Sequence, residues 1–216
     1  NLLLDNLLLV AIYNRAKKLH IDTEARRVVF LLETDHETDN SSLESVLTVL
    51  GSKNGDFITA VDEKSIIVVK EVGEQEDYSD MERIAHQILE ALEPAKREYA
   101  YVAYGTIVEE IKEVSRSYKE ARMALDVGKI FFSERNVIAY SSLGIGRLIY
   151  QLPIPLCKMF IREMFDGKSP DDVDEETLTT INKFFENSLK GTETSRQLYI
   201  HIFILVYRLD KLQKST

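Results

Sequence analysis

Arg27-Val28-Val29-Phe30-Leu31-Leu32-Glu33-Thr34 holds five large apolar side chains in a row, two of them β-branched. A continuous apolar run of that length reads as a buried β-strand. The residues after it alternate between strand and helix patterns. Asp35–Asn40 is polar and turn-like. Ser41–Leu50 is a short amphipathic helix, with Ser41 or Ser42 as N-cap and Glu44 in the first turn. Phe57–Val61 and Ser65–Val69 are short strands flanking Asp62-Glu63-Lys64, which predicts a hairpin. Tyr78–Leu92 sets Met81, Ile84, Ile88 and Leu92 on one helical face, with Ala85 and Leu89 beside them. Tyr99–Tyr104 is a strand stopped by Gly105. Val108–Val127 has helical spacing, and Asn136–Tyr140 is a last strand. Before the first strand, Leu7–Leu19 has helical spacing and ends at His20-Ile21-Asp22. The order is helix, then βαββαβ, then αβ. Its core is the ferredoxin-like split unit, so the fold class is α+β, with an antiparallel sheet covered by helices on one face.

The second part of the sequence is helical. Pro153 and Pro155 punctuate it, and Ile154–Phe165 is an apolar helix. Residues 166–172 have the composition of a linker. Asp174–Lys190 starts with acidic residues and stops at Lys190-Gly191. Its apolar face carries Leu178, Ile181, Phe184, Phe185 and Leu189. The next helix carries Leu198 and is capped by Thr192 or Thr194. A turn near Ile200-His201 leads to a last helix. There Leu205, Leu209 and Leu212 form one buried stripe, and Arg208, Lys211 and Lys214 are placed to face phosphates. The expected organisation is 1–142 for the α+β domain, 143–172 for a helical linker and 173–216 for a helix-turn-helix domain.

Charge separates the two ends. The chain has 27 basic and 36 acidic residues, a net charge of −9. Residues 191–216 hold four basic and two acidic side chains, leaving the preceding 190 residues at −11. An acidic body with a mildly basic tail suits a regulator better than a non-specific nucleic-acid coat. The single cysteine, Cys157, excludes an intramolecular disulfide and fits a reducing, cytoplasmic setting. It is expected in the core. The apolar stretches Leu2–Leu4 and Leu7–Tyr13 are too short to span a bilayer. The first residue is Asn1, with no basic signal-peptide start, so the beginning reads as a cut inside a longer protein. Leu2–Leu9 is too rich in leucine for a solvated tail. Either it packs on its own sheet domain or it continues a signalling helix.

Catalytic patterns are weak. His20, His36, His86 and His201 have no metal-ligand spacing. Gly144-Ile145-Gly146 lacks the third glycine of a dinucleotide loop and reads as a flexible join. No catalytic, cofactor-binding or metal-binding residue is assigned.

Several motifs resemble one regulator family. Ser195-Arg196-Gln197-Leu198-Tyr199-Ile200-His201 and Leu205-Val206-Tyr207-Arg208-Leu209-Asp210-Lys211-Leu212 resemble the helix-turn-helix of the carbohydrate-diacid regulators (CdaR) and the PucR-like purine-catabolism regulators. Tyr104-Gly105-Thr106, Ser117-Tyr118-Lys119-Glu120-Ala121-Arg122 and Ala124-Leu125 resemble the GGDEF-like domain that precedes the reader there. Ile12-Tyr13-Asn14-Arg15-Ala16 with Leu19-His20-Ile21 resembles its leading helix. The resemblance implies the carboxyl-terminal portion of a bacterial transcriptional regulator that binds operator DNA as a homodimer. A small-molecule effector would be sensed by a domain outside this chain. The implied DNA contacts are Thr194, Ser195, Arg196, Gln197, Tyr199, His201, Tyr207, Arg208 and Lys211. Tyr199 and Tyr207 are equally open to a packing role, and His201 reads as a phosphate contact before a turn-packing residue.

Two departures stand out. GGDEF cyclases share the split core, place metal-binding carboxylates at the end of the first strand and carry a Gly-Gly hairpin. Here Glu33 and Asp35 keep carboxylates at the strand end, but Ala60-Val61-Asp62-Glu63-Lys64-Ser65 has no glycine pair for close backbone approach. Lys64 also opposes a metal cluster. A degenerate nucleotide-binding or protein-interaction module is the alternative reading. Second, Ile202-Phe203-Ile204 stands where the resembled regulators carry Arg-Asn-Thr. Large apolar side chains cannot donate to phosphates or base edges. Three readings are open: an altered segment, a protein contact, or a regulator that has lost DNA binding. DNA binding by this chain is therefore expected to be poor.

Overall fold

The computed structural model describes residues 2–3, 8–34, 40–50, 55–62, 64–132, 134–165 and 174–215. Asp35, His36, Glu63, residues 166–172 and the Ser41 and Lys214 side chains lie outside the described residues. The chain divides into two compact units, Asn1–Gln151 and Leu152–Thr216.

The first unit contains α1 (Leu9–Lys18), β1 (Arg27–Thr34), α2 (Asn40–Leu50), β2 (Phe57–Ala60) and β3 (Ser65–Glu71). It continues with α3 (Tyr78–Glu90), α4 (Pro94–Arg97), β4 (Ala100–Tyr104), α5 (Val114–Phe131), β5 (Val137–Ala139) and α6 (Gly146–Tyr150). The sheet order is β2-β3-β1-β4-β5. β1 is central and antiparallel to both β3 and β4, pairing Phe30 with Val68 and with Tyr104. β5 joins β4 in parallel, so the sheet is mixed rather than antiparallel.

Both sheet faces are covered, which corrects the one-face expectation. Val28, Phe30 and Leu32 pack with Val46 of α2 and Met81, Ile84 and Ile88 of α3. Val29 and Leu31 point the other way, among Ile12 and Ala16 of α1 and Val114 and Ala121 of α5. Successive side chains of a strand alternate faces. The unbroken apolar run of β1 follows from having helices on each side, and every residue from Val28 to Leu32 is at most 3% exposed. Leu2 and Leu3 pack against the α1–α5 cluster, which places that part of the leucine-rich start on the sheet domain.

Capping fixes the helix ends. Asp77 accepts from Ser79 N at 2.8 Å, and Asp77 N donates to Asp80 at 3.1 Å, a reciprocal cap for α3. α2 runs over Asn40–Leu50, and the predicted Ser41 cap lies outside the described side chains. α5 begins at Val114, six residues later than the helical spacing predicts. The cause is Val108, which exchanges two 2.8 Å backbone hydrogen bonds with Arg27 and so belongs to the sheet.

The Tyr-Gly-Thr and Ser-Tyr-Lys-Glu motifs meet at this point. β4 leaves β1 after Gly105, whose N–H donates to Val29 O at 3.1 Å. The Val29 N–H instead donates to Ser117 Oγ at 3.0 Å, and that hydroxyl donates to Thr106 O at 2.8 Å. Glu120 accepts from Thr106 N at 2.8 Å and from its hydroxyl at 2.5 Å. A Cβ on Gly105 would lie 2.1 Å from Ser117 O, so only glycine lets α5 approach so closely.

Candidate nucleic-acid interface

The second unit contains α7 (Ile154–Met164), α8 (Glu175–Glu186), α9 (Gly191–Gln197) and α10 (Ile202–Ser215). Asp174 caps α8 by accepting from Thr177 N at 2.8 Å, with Glu175 and Glu176 in the first turn. α8 stops at Glu186, earlier than the Lys190-Gly191 stop predicted. Ser188 and Leu189 take left-handed φ values of 52° and 63°, and Leu189 N donates to Phe184 O at 2.9 Å. That bond spans five residues and closes the helix without glycine. Gly191 opens α9 instead, where a Cβ would come 3.3 Å from Ile202 Cδ1. Neither Thr192 nor Thr194 caps α9. Thr194 is fully buried inside it, its hydroxyl donating to Lys190 O at 2.9 Å.

α9 ends in the same way. Tyr199 takes φ 53°, and Ile200 N donates to Ser195 O at 3.0 Å. His201 then precedes α10, its Nδ1 accepting from Phe203 N at 3.4 Å and its ring stacked 5.3 Å from that of Phe203. α8, α9 and α10 pack on one another in pairs. Leu205 is 1% exposed at their centre, whereas Leu209 and Leu212 are half-buried. No residue of α7 is buried, so Cys157 is half-exposed there rather than a core residue.

The nine implied DNA contacts separate into three groups. Arg196, Gln197, Tyr199, His201, Tyr207 and Lys211 are exposed. Thr194 and Ser195 are buried, with the Ser195 hydroxyl donating to Thr192 O at 3.0 Å. Arg208 is half-buried and held to α8. It donates to Thr180 Oγ1 at 3.2 Å and forms an ion pair with Glu176. Arg196 is ion-paired with Glu193 on its own helix. The sequence does not reveal Glu176 and Thr180 as partners of Arg208, because their 32- and 28-residue separations from it leave no local pattern. The Ile202-Phe203-Ile204 trio also divides. Ile202 is half-buried, while Phe203 and Ile204 are 76% and 46% exposed. Val206 and Tyr207 extend that apolar surface along α10.

Of the carboxylates raised by the cyclase comparison, Glu33 lies near the end of β1 and Asp62 in the β2–β3 turn. Glu33, Asp62, Lys64, Ser65 and Arg122 line a cavity of about 620 Å³. Lys129 forms an ion pair with Glu33 and sits 5.2 Å from the Tyr101 ring. Arg122 lies 3.6 Å from Glu33 and 3.5 Å from Asp126. Asp62 accepts from Lys64 N at 2.8 Å, and that bond first of all holds its carboxyl below the usual value. Among the described residues, each of these carboxylates is met by a cationic side chain or a backbone N–H. Among the described residues no group of three His, Cys, Asp or Glu side chains is placed to hold a metal, and His20, His86 and His201 are all exposed.

Residues 8–127 match the family pattern of the GGDEF-like domain, more than half of the chain. The chain belongs to the GGDEF-like domain family. The match runs from just before α1 to within α5 and takes in the Ser117–Glu120 motif that ties α5 to β1. Among curated relatives, the purine catabolism regulatory protein of Bacillus subtilis (strain 168) is 24% identical over 116 residues, 52% of this chain and 22% of that protein. The DNA-binding transcriptional activator AdeR of the same organism is 26% identical over 170 residues, 73% of this chain and 39% of that protein. The chain thus spans well under half the length of either. The crystal structure of a regulator of polyketide synthase expression from Bifidobacterium adolescentis is similar in fold. Its TM-score is 0.51 at 13% identity, covering 99% of this chain and 81% of that one. Among the described residues no helix is long and apolar enough to cross a membrane.

Proposed function

We propose that this chain is part of a bacterial transcriptional regulator, in which a non-catalytic GGDEF-like domain precedes a helix-turn-helix that binds operator DNA. The observation that carries the reading is the α9-turn-α10 geometry, joined to a GGDEF-like domain. A short left-handed turn at Tyr199 sets α10 against α8 and α9 around Leu205, leaving Arg196, Gln197, His201 and Lys211 outward. Two relatives whose names describe regulators support it. The helix-turn-helix occupies 173–216, after a helical linker over 143–172 and the α+β domain over 1–142. Two-fold operators favour a homodimer, the effector is sensed by a domain outside this chain, and the setting is cytoplasmic.

The apolar start of α10 sets the strength of binding. Fluorescence anisotropy with a pool of duplex DNA fragments, across a salt series, tests the reading. The chain binds weakly, and the combined Ile202→Arg, Phe203→Asn and Ile204→Thr replacement binds more tightly with a steeper salt slope, since each added phosphate contact contributes about 0.9 to that slope. Equal affinity before and after the replacement at every salt concentration sinks the proposal.

We also propose that the GGDEF-like domain catalyses nothing. The Lys129–Glu33 pair supports this, because it neutralises the carboxylate a divalent cation would need. The cavity beside Arg122 and Lys64 is the observation that favours the other reading, nucleotide binding. Calorimetry with GTP and Mg²⁺ distinguishes them, with stoichiometric heat supporting the nucleotide.

A further inference from the structure

A second cavity lies on the α1–α5 side of the sheet and shares no lining residue with the one at Glu33. Its volume is about 300 Å³. Leu3, Ile21, Phe57, Val69, Ile111 and Val114 supply its walls, with Leu2 and Leu19 completing an aliphatic and aromatic lining around Arg27. Cavities of about 150 Å³ lined by Leu, Ile and Phe stay dry and take up benzene, and ligand pockets begin at about 300 Å³. This cavity has room for two fused rings or a medium-length alkyl chain.

Arg27 decides what charge the occupant carries. It is 1% exposed. Its guanidinium donates to Asp22 O at 2.7 Å and Ala25 O at 3.2 Å, and Glu71 lies 3.6 Å away. Glu71 and two carbonyls meet its terminal nitrogens, and only its buried Nε has no partner. The cavity's lining is otherwise aliphatic and aromatic, with no acidic side chain to call for a cation. Such walls offer an unpaired charge nothing in place of the water it would lose.

We propose that this cavity is a binding site for a small uncharged apolar molecule. The occupant would bridge Leu2 and Leu3, at the start of the chain, to Ile111 and Val114, where the family helix α5 begins. The site is independent of the DNA-binding reading and lies within the first unit.

Methyl NMR of the full chain, titrated with naphthalene and separately with 2-naphthoate, tests this. Naphthalene gives saturable one-to-one shifts centred on the methyls of Leu3, Ile21, Val69, Ile111 and Val114, and 2-naphthoate gives none there. Val69→Phe fills the cavity and weakens naphthalene at least about tenfold, a loss of about 1.4 kcal/mol. Leu19→Trp, at a position 67% exposed, gives the same readout should Val69→Phe not fold. Shifts centred elsewhere, equal affinity in a folded filled variant, or equal uptake of the naphthoate overturns the proposal.

Discussion

Ser117 shows how one side chain can hold a topology. It is fully buried, and it stands in for the strand partner that Val29 loses when β4 departs at Gly105. Ser117→Ala leaves the Val29 N–H and the Thr106 carbonyl unmatched, at a cost of about 1–3 kcal/mol. A urea series checks this, and a loss below the error of the measurement would contradict the assigned role. The Ser-Tyr-Lys-Glu pattern was legible in the sequence, but its purpose was not. The bonds run across 88 residues to a backbone N–H whose orphaning follows from strand order. Tyr199 was likewise legible only as a residue that either touches DNA or packs. It does not pack, being 97% exposed, and it holds a left-handed φ that costs L-residues roughly 1–2 kcal/mol. Tyr199→Gly should stabilise the second unit by about 0.5–1 kcal/mol in thermal unfolding. If Tyr199 stacks on DNA, the same change weakens DNA binding while stability rises, and the two readouts separate the roles.

At the scale of elements, the strands were the most legible parts. β1, β2, β3 and β4 start within a residue of where the apolar runs place them. Side-chain alternation across a buried sheet is local enough to read. Helix ends were less legible wherever a distant partner or an unusual backbone decided them. Val108 carries helical spacing yet pairs with Arg27, and α8 is closed by Ser188 and Leu189 where glycine is the usual signal. The parallel docking of the three-residue β5 left no pattern to read. The α3 cap makes a pH prediction. The Ser79 hydroxyl and backbone hold the Asp77 carboxyl below its ordinary value of 3.8, and the Arg83 side chain above all does the same for Asp80. A depressed folded pKa gives stability that is present above the unfolded value and lost as pH falls through the folded one. Asp77→Ala therefore lowers the urea midpoint at pH 7, and the gap to wild type closes as pH drops below about 3.8. Asp77→Asn keeps a capping oxygen and loses less at neutral pH. A gap that stays constant through acid pH would show that the cap charge plays no part.

Across the whole molecule, charge limits what the second unit can do. The chain carries −9 overall, so its field repels a polyanion, and attraction must come from cations placed at the contact surface. Two of the cations available there, Arg196 and Arg208, are spent on Glu193 and Glu176. The side chains that project most from the start of α10 are apolar Phe203 and Ile204. The two pairs are not equal. Arg196 is 75% exposed on its side chain, and its bond to Glu193 is a surface pair that phosphate can displace for well under about 1 kcal/mol. Arg208 is 22% exposed and also bonded to Thr180, so its guanidinium serves the α8–α10 packing first. Glu176→Gln removes the competing anion while keeping a polar group of the same size. If α10 lies along DNA, that change frees one cation. The plot of log affinity against log salt then steepens by about 0.9, with little change in thermal stability. Arg208→Gln instead leaves the salt slope of the wild-type chain where it is and lowers stability, because in the parent protein Arg208 holds helices together. An unchanged slope in Glu176→Gln, measured on a folded variant, would place the α10 face away from DNA and leave its apolar start as a protein contact.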